Sequence, residues 1–179
     1  MENKFDLAID KVLKHEGGFT ADERDNGNLL PDGRKGSTNL GVTQVAWENY
    51  VGHPVTWNDM KALTPEIVKP FYKKLYWDRC YCDKLPSGLD YLMLDFSINA
   101  GTGRAVKLLQ ESLGCVADGV IGPNTMAEIQ KADANSLIAK FSEEKIKFYR
   151  TLKSYPTFGK GWENRVEAVR KEALELVIG

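Results

Sequence analysis

The spacing of apolar side chains predicts a mainly helical chain. Phe5, Ile9 and Val12 recur every three or four residues and form one apolar stripe, as in an amphipathic helix. The same period predicts further helices over 43–50, from Thr64 onward, over 88–99, over 104–113, from Asn124 onward and in two long final segments. The segment 88–99 is apolar on almost every side, which is typical of a buried central helix. We therefore expect a mainly α fold, a helical bundle around that central helix.

Turn-forming residues fill the region between the first helix and residue 40. Glycine, proline, aspartate and asparagine dominate there, and Pro31-Asp32-Gly33 could close a short hairpin. We therefore expect a small loop or hairpin region after the first helix, so that the mainly α fold has a minor β part.

Glu16 stands where the first apolar stripe meets two glycines. It lies four residues after Val12 and so continues the inward face of the helix. Gly17 and Gly18 predict the helix end, because glycine takes the left-handed conformation that closes helices. Partial burial and the partial negative charge of the helix C-terminus would both favour the protonated carboxyl, which a general acid requires. On these residues alone, a helix that merely ends in glutamate is the simpler interpretation.

Composition excludes several classes of function. The net charge of −1 over 179 residues gives no electrostatic footprint for nucleic acid. The chain has only two histidines, and Cys80-Tyr81-Cys82 does not match the usual spacing of zinc ligands. We therefore expect no metal, no cofactor and no nucleic-acid partner.

The sequence also carries expectations about where the protein is made. No apolar run is long enough to span a membrane, and the N-terminus lacks the apolar segment of a signal peptide. The odd number of cysteines favours free thiols in a reducing cytoplasm. We expect a monomer that is made in the cytoplasm without a signal peptide and has no stable membrane insertion.

Several short motifs follow one another in a specific order. In the first half they are Glu16-Gly17-Gly18-Phe19, Asp25 and Thr38-Asn39-Leu40-Gly41-Val42-Thr43. In the second half they are Asp95-Phe96-Ser97-Ile98-Asn99-Ala100-Gly101, Leu109-Gln110-x-x-Leu113-Gly114, Asp118-Gly119-Val120-Ile121-Gly122-Pro123-x-Thr125 and Phe158-Gly159-x-Gly161-Trp162-x-Asn164-Arg165. Together they cover nearly the whole chain, which resembles glycoside hydrolase family 108, the N-acetylmuramidases of phages and bacteria. The second half is similar to that family's predicted peptidoglycan-binding region.

This resemblance implies a lysozyme-like fold with Glu16 as the catalytic acid. Glycoside hydrolysis usually needs a second carboxylate, for which Asp25 is the best candidate and Asp22 its rival. Thr38 could hold the attacking water opposite Glu16, an arrangement that leads to inversion at the anomeric carbon. Each has a plainer interpretation, Asp25 in an Asx-turn and Thr38 as a turn hydroxyl. The segment 26–37 is also longer than the Pro-Gly-Gly turn that the family has here.

The substrate-binding residues that we expect are Asn39, Tyr76, Trp77 and Asn99. Aromatic residues near helix ends can stack on sugar faces, although core packing is the better interpretation for Trp162. Asn99 could orient the cleft, or it could form a buried polar pair with Asp95 one helical turn earlier.

The two halves carry different expectations. We expect residues 1–90 to form the lysozyme-like catalytic region and residues 91–179 to form the helical peptidoglycan-binding region. Because the central helix crosses this boundary, we expect the two regions to share one core.

These observations predict a peptidoglycan hydrolase of the lysozyme type, an N-acetylmuramidase. It would cleave the β-1,4 bond between N-acetylmuramic acid and N-acetylglucosamine, and reach the periplasmic wall through a holin or a dedicated export route. Both a phage endolysin and a bacterial lysozyme fit. A lytic transglycosylase would use one glutamate and form an anhydro sugar, whereas a non-catalytic peptidoglycan-binding protein would not need Glu16. A helical interaction protein would neither bind the wall nor cleave it.

Overall fold

A computed structural model of the chain describes residues 3–21 and 29–178. Within these ranges the chain forms nine α-helices and one two-stranded sheet. The helices are α1 (Lys4–His15), α2 (Gln44–Val51), α3 (Trp57–Lys61), α4 (Pro65–Tyr72), α5 (Leu89–Ala100), α6 (Thr102–Leu113), α7 (Pro123–Lys131), α8 (Ala134–Arg150) and α9 (Tyr155–Ile178), and the strands are β1 (Thr38–Asn39) and β2 (Val42–Thr43). The expected mainly α fold with a small hairpin region is confirmed. In the part of the chain that is described, none of the helices combines the length and apolar character needed to cross a membrane.

The chain divides into two compact units. One runs from Ile9 to Leu75 and contains the sheet; we call it the hairpin unit. The other, the helical unit, combines the chain before Ile9 with the chain after Leu75. The expected functional boundary at residue 90, with one core shared by both regions, stays a prediction.

The hairpin unit is built around a tight two-residue turn. Strands β1 and β2 pair antiparallel, with Thr38 opposite Thr43, and Leu40-Gly41 connects them. Both turn residues have positive φ, 51° at Leu40 and 77° at Gly41, as a type I′ turn requires. The expected turn at Pro31-Asp32-Gly33 also forms, closed by a bridge between Leu29 and Lys35.

Side-chain caps begin the short helices of this unit. The Thr43 hydroxyl accepts a hydrogen bond from the Ala46 amide at the start of α2, and Thr64 caps α4 in the same way. Pro65 occupies the first turn of α4, where its missing N–H needs no partner within the helix. The inward face of α4 is formed by Val68, Phe71 and Tyr72. A single π-helical segment, Lys73–Trp77, follows it.

Helix α5 is the centre of the helical unit. Every residue from Leu89 to Ser97 is buried, and α6, α8 and α9 pack against it. The expected buried central helix is therefore confirmed. Between Leu89 and Ser97 no face of the helix is left for water, which explains why the sequence shows no polar stripe there.

One buried charge on α5 is compensated by two cations. The carboxylate of Asp95, 2% exposed, lies 2.9 Å from Nη2 of Arg165 on α9 and 3.6 Å from Nζ of Lys145 on α8. Burial lowers the pKa of Lys145, and the Asp95 carboxylate opposes that shift. The predicted buried pair of Asp95 and Asn99 is wrong, because Asn99 faces solvent and the partners of Asp95 come from other helices.

We predict that Gly88→Ala destabilises the protein more than Gly101→Ala does. Both glycines flank α5 at positive φ, 92° and 94°, so each substitution should cost about 1–3 kcal/mol in backbone strain. A Cβ at Gly88 would also collide with the Ala173 carbonyl, whereas Gly101 has open space. This overpacking should add about 1–3 kcal/mol.

Urea unfolding of both variants measures the difference in free energy of unfolding. Equal losses for the two variants would show that the Ala173 backbone moves freely and that α5 and α9 are not closely packed at this point.

Candidate active site

Glu16 lies directly after the end of α1. The helix ends at His15, and the Glu16 amide still donates a hydrogen bond to the Val12 carbonyl, at 3.1 Å. The carboxyl side chain is half-buried. The predicted left-handed closure is wrong, because neither Gly17 nor Gly18 has a positive φ. The chain instead continues to Thr20, which pairs with Thr38 of β1.

The carboxylate of Glu16 lies against the backbone of Gly41. A Cβ built on Gly41 would lie 2.8 Å from Oε2 of Glu16 and 2.9 Å from its Cδ. The same point is 2.8 Å from the hydroxyl oxygen of Tyr72. Only glycine leaves this space open, so the hairpin turn can approach the carboxylate closely. The three groups therefore meet at one place.

Tyr72 holds the turn from the side of α4. Its hydroxyl donates a hydrogen bond to the Leu40 carbonyl, at 2.7 Å. Its ring lies edge-on to Phe71, with centroids 5.2 Å apart. Helix α4 also contacts α1, through an ion pair of 3.0 Å between Lys69 and Asp10. Helix α4 thus contacts both the hairpin and α1, the helix directly before Glu16.

Thr38 connects the Glu16 loop to the hairpin. Its backbone exchanges two hydrogen bonds with Thr20, both 2.8 Å long. On its other side it pairs with Thr43. Thr38 is half-buried and is the first residue of β1. Its role in holding water stays a prediction.

Two buried polar side chains next to the hairpin, Gln44 and Asn39, form hydrogen bonds to the backbone. Gln44 accepts a hydrogen bond from the Ser37 amide at 3.0 Å and donates one to the Val55 carbonyl at 2.8 Å. The predicted substrate ligand Asn39 is buried, and its amide donates to the Met60 carbonyl at 2.8 Å. Asn39 therefore anchors the hairpin to α3, and the structure gives it no exposed face for a sugar.

Neither candidate for the second carboxylate is among the described residues. Asp25 and its rival Asp22 both lie in the segment 22–28, outside the described ranges. The assignment of Asp25 as the partner of Glu16 stays a prediction.

Three predicted substrate residues belong to the helical unit. Trp77 is 0% exposed, its indole N–H donates to Asp83 at 2.8 Å, and its ring meets Phe5 edge-on. A ring without an exposed face cannot stack on a sugar, so this prediction does not fit Trp77. Tyr76 is half-buried, and burial raises its pKa. Asn99 is exposed and lines a cavity of about 330 Å³ together with Trp162.

The second-half motif around Gln110 forms an internal network. The Gln110 side-chain nitrogen lies 2.8 Å from Oδ1 of Asp118 and 3.1 Å from Oγ1 of Thr125, and the Gly119 amide donates to its carbonyl oxygen at 2.9 Å. These residues therefore fix the turn between α6 and α7. Their identity is explained by loop structure without any ligand.

Sequence reasoning missed the roles of Gly41 and Tyr72. Gly41 follows a leucine, whereas two-residue hairpin turns are usually recognised by pairs such as Asn-Gly. The sequence therefore gives only a weak indication of a turn at Leu40-Gly41. Tyr72 stands four residues after Val68 on the inward face of α4, so it matches an ordinary core position. The hydroxyl of a tyrosine on the inward face of a helix indicates that it has a hydrogen-bond partner.

Comparisons with known proteins identify the family to which the chain belongs. The model of Glycosyl hydrolase 108 matches residues 9–101, and that of a Predicted Peptidoglycan domain matches residues 104–167. The chain belongs to glycosyl hydrolase family 108. The solved structure of SagA from Brucella abortus is 36% identical with a TM-score of 0.84, over 97% of this chain and 95% of that chain. No curated protein matches the sequence.

The family fixes the general activity of the chain. It is a glycoside hydrolase with a lysozyme-like, mainly α fold, and its substrate is peptidoglycan. The site in which α1, the hairpin turn and α4 meet lies within the residues that match the hydrolase model.

We predict that Gly41→Ala abolishes most of this family 108 activity, whereas Gly52→Ala does not. Both glycines have positive φ, 77° and 83°, so alanine should cost about 1–2 kcal/mol in backbone strain at each. Only at Gly41 would the new Cβ collide with Glu16 and Tyr72. A carboxyl displaced by about 1 Å should lower the rate about a hundredfold.

Clearing of purified sacculi by the two variants, at equal folded fraction, measures the effect. Similar activities would mean that the turn does not determine where the carboxyl lies.

Proposed function

We propose that the enzyme is an N-acetylmuramidase, a lysozyme that cleaves the β-1,4 bond between N-acetylmuramic acid and N-acetylglucosamine. In this proposal Glu16 is the general acid. The observation that carries it is the half-buried Glu16 carboxyl, fixed at the end of α1 against Gly41. A carboxyl in a site of this kind can protonate a leaving glycosidic oxygen, provided that the geometry is held.

The rest of the reaction needs a water or a second carboxylate. We assign these roles to Thr38 and Asp25. Thr38 is supported by its pairing with Thr20, which lies four residues after Glu16 in the sequence. Thr38 thus neighbours the segment that follows Glu16. Asp25 is supported by its position in the sequence, nine residues after Glu16. A carboxyl on the opposite face of the sugar would stabilise the oxocarbenium charge or activate the water.

The wall substrate implies a place of action. We propose that the enzyme meets peptidoglycan in the periplasm, after release through a holin or a dedicated route. The exposed Asn99 and the neighbouring cavity of the helical unit would then contact the glycan or its peptides.

We predict that Glu16→Gln abolishes lysis of sacculi and leaves the thermal midpoint unchanged or higher. The amide keeps the shape of the side chain but supplies no proton, and functional carboxyls often cost stability. Glu66→Gln is the matched control, because Glu66 is an exposed glutamate in the first turn of α4. Turbidity clearing and a thermal melt of both variants give the result.

Activity of Glu16→Gln above about a tenth of wild type, a barrier change under roughly 1.4 kcal/mol, would remove Glu16 from the acid role. Mass spectrometry of the wild-type products distinguishes hydrolysis from the lytic transglycosylase reaction. Products lighter by one water would identify a lytic transglycosylase instead of a hydrolase.

We predict inversion at the anomeric carbon. If Thr38 and Asp25 hold a water opposite Glu16, that water attacks the face away from the leaving group. Proton NMR of the first-formed anomer, with a soluble β-linked oligosaccharide as substrate, distinguishes the two courses. A β-anomer would mean retention and would contradict the water-holding role, whereas full activity of Asp25→Ala would transfer suspicion to Asp22.

A further inference from the structure

The hydroxyl of Tyr72 is a polar group in an aromatic part of the hairpin unit. Its side chain is 1% exposed. The ring is edge-on to Phe71, which itself packs against Trp47 and Tyr50. These contacts fix the ring, and with it the position of the hydroxyl oxygen. The oxygen reaches out of the aromatic cluster to the Leu40 carbonyl.

The carbonyl that accepts the hydrogen bond from Tyr72 belongs to a residue with a strained backbone. Leu40 has φ 51°, in the left-handed region that leucine rarely adopts. Such conformations persist only where the surroundings hold them, and they concentrate at functional sites. The 2.7 Å hydrogen bond from Tyr72 is a side-chain contact that acts directly on the carbonyl of this residue.

The strained Leu40-Gly41 turn lies next to the Glu16 carboxyl. Gly41 follows Leu40, and its Cα faces both Oε2 of Glu16 and the Tyr72 oxygen. Since the two oxygens lie equally far from one point, they are separated by at most twice 2.8 Å. A shift of the turn would therefore change the space that the Glu16 carboxyl occupies.

We propose that Tyr72 is a positioning residue of the hydrolase, acting through the Leu40-Gly41 turn on Glu16. This inference rests on the proposed role of Glu16 as general acid. The proton of the Tyr72 hydroxyl is donated to the Leu40 carbonyl, so the tyrosine acts by holding the turn and not by giving a proton to the substrate. Its hydroxyl keeps the turn, and hence the wall of the carboxyl site, in one place.

The test compares Tyr72→Phe with Tyr50→Phe. Both remove one phenol hydroxyl from the same aromatic cluster, but only Tyr72 bonds the turn. With soluble, uncrosslinked peptidoglycan strands, we expect Tyr72→Phe to lower kcat at least about tenfold while KM stays within about twofold, as for a misplaced catalytic group. Tyr50→Phe should leave both constants within about twofold. Assays run well below the thermal midpoints of both variants.

A second variant tests the route through the turn. Asparagine accepts positive φ more readily than leucine, so Leu40→Asn added to Tyr72→Phe should relieve the strain. We expect this double variant to recover at least about a third of the lost kcat. A purely structural role of Tyr72 would not predict such a recovery.

Several results would overturn the inference. Equal kcat for the two tyrosine variants, a fall in kcat without recovery in the double variant, or loss of the cooperative melt in Tyr72→Phe would each do so. These outcomes leave the proposed function intact as long as Glu16→Gln is inactive. An active Glu16→Gln would instead remove the proposed function, whatever Tyr72→Phe does.

Discussion

The close contact between a carboxylate and a backbone without a side chain is the constraint on which the hairpin unit depends. Glu16 and Gly41 can meet only because residue 41 has no Cβ. That contact requires a turn with positive φ at two residues, one of which is leucine. The turn is held by a tyrosine of α4, and α4 is tied to α1 by the ion pair of Lys69 and Asp10. Together these features hold the Glu16 carboxyl in one place.

The helical unit rests on a different principle, the burial of one long apolar helix. The residues from Leu89 to Ser97 are removed from water, and the burial of their apolar side chains stabilises this unit. Asp95 interrupts that apolar surface and is tolerated because Lys145 and Arg165 supply opposite charges from two other helices. Buried ion pairs of this kind contribute little net stability, but removing one member leaves an unpaired charge that costs several kcal/mol. The cluster therefore connects α5 to both α8 and α9.

Motif resemblance and physical role do not coincide everywhere in this chain. The motif around Gln110 is explained by hydrogen bonds within its own loop, and Asn39 of the first motif anchors the hairpin to α3. Trp77, which stands next to a plausible sugar-stacking tyrosine in the sequence, is a core residue. In contrast, Gly41 lies in the first motif and borders the carboxyl directly. A shared motif thus contains residues that build the site and residues that only build the fold.

The sequence by itself determined the local structure of this protein. Helix starts at Thr43 and Thr64 follow from caps whose partners lie three residues away, and the burial of α5 follows from its composition. The apolar stripe predicts α1 up to the residue before Glu16, and two glycines follow, although neither closes the helix with a positive φ. The tertiary structure alone decided what surrounds that carboxyl, because Gly41 and Tyr72 are distant in sequence and no periodicity encodes their approach. It also decided the partners of Asp95, since a buried carboxylate takes its cations from whichever helices pack against it.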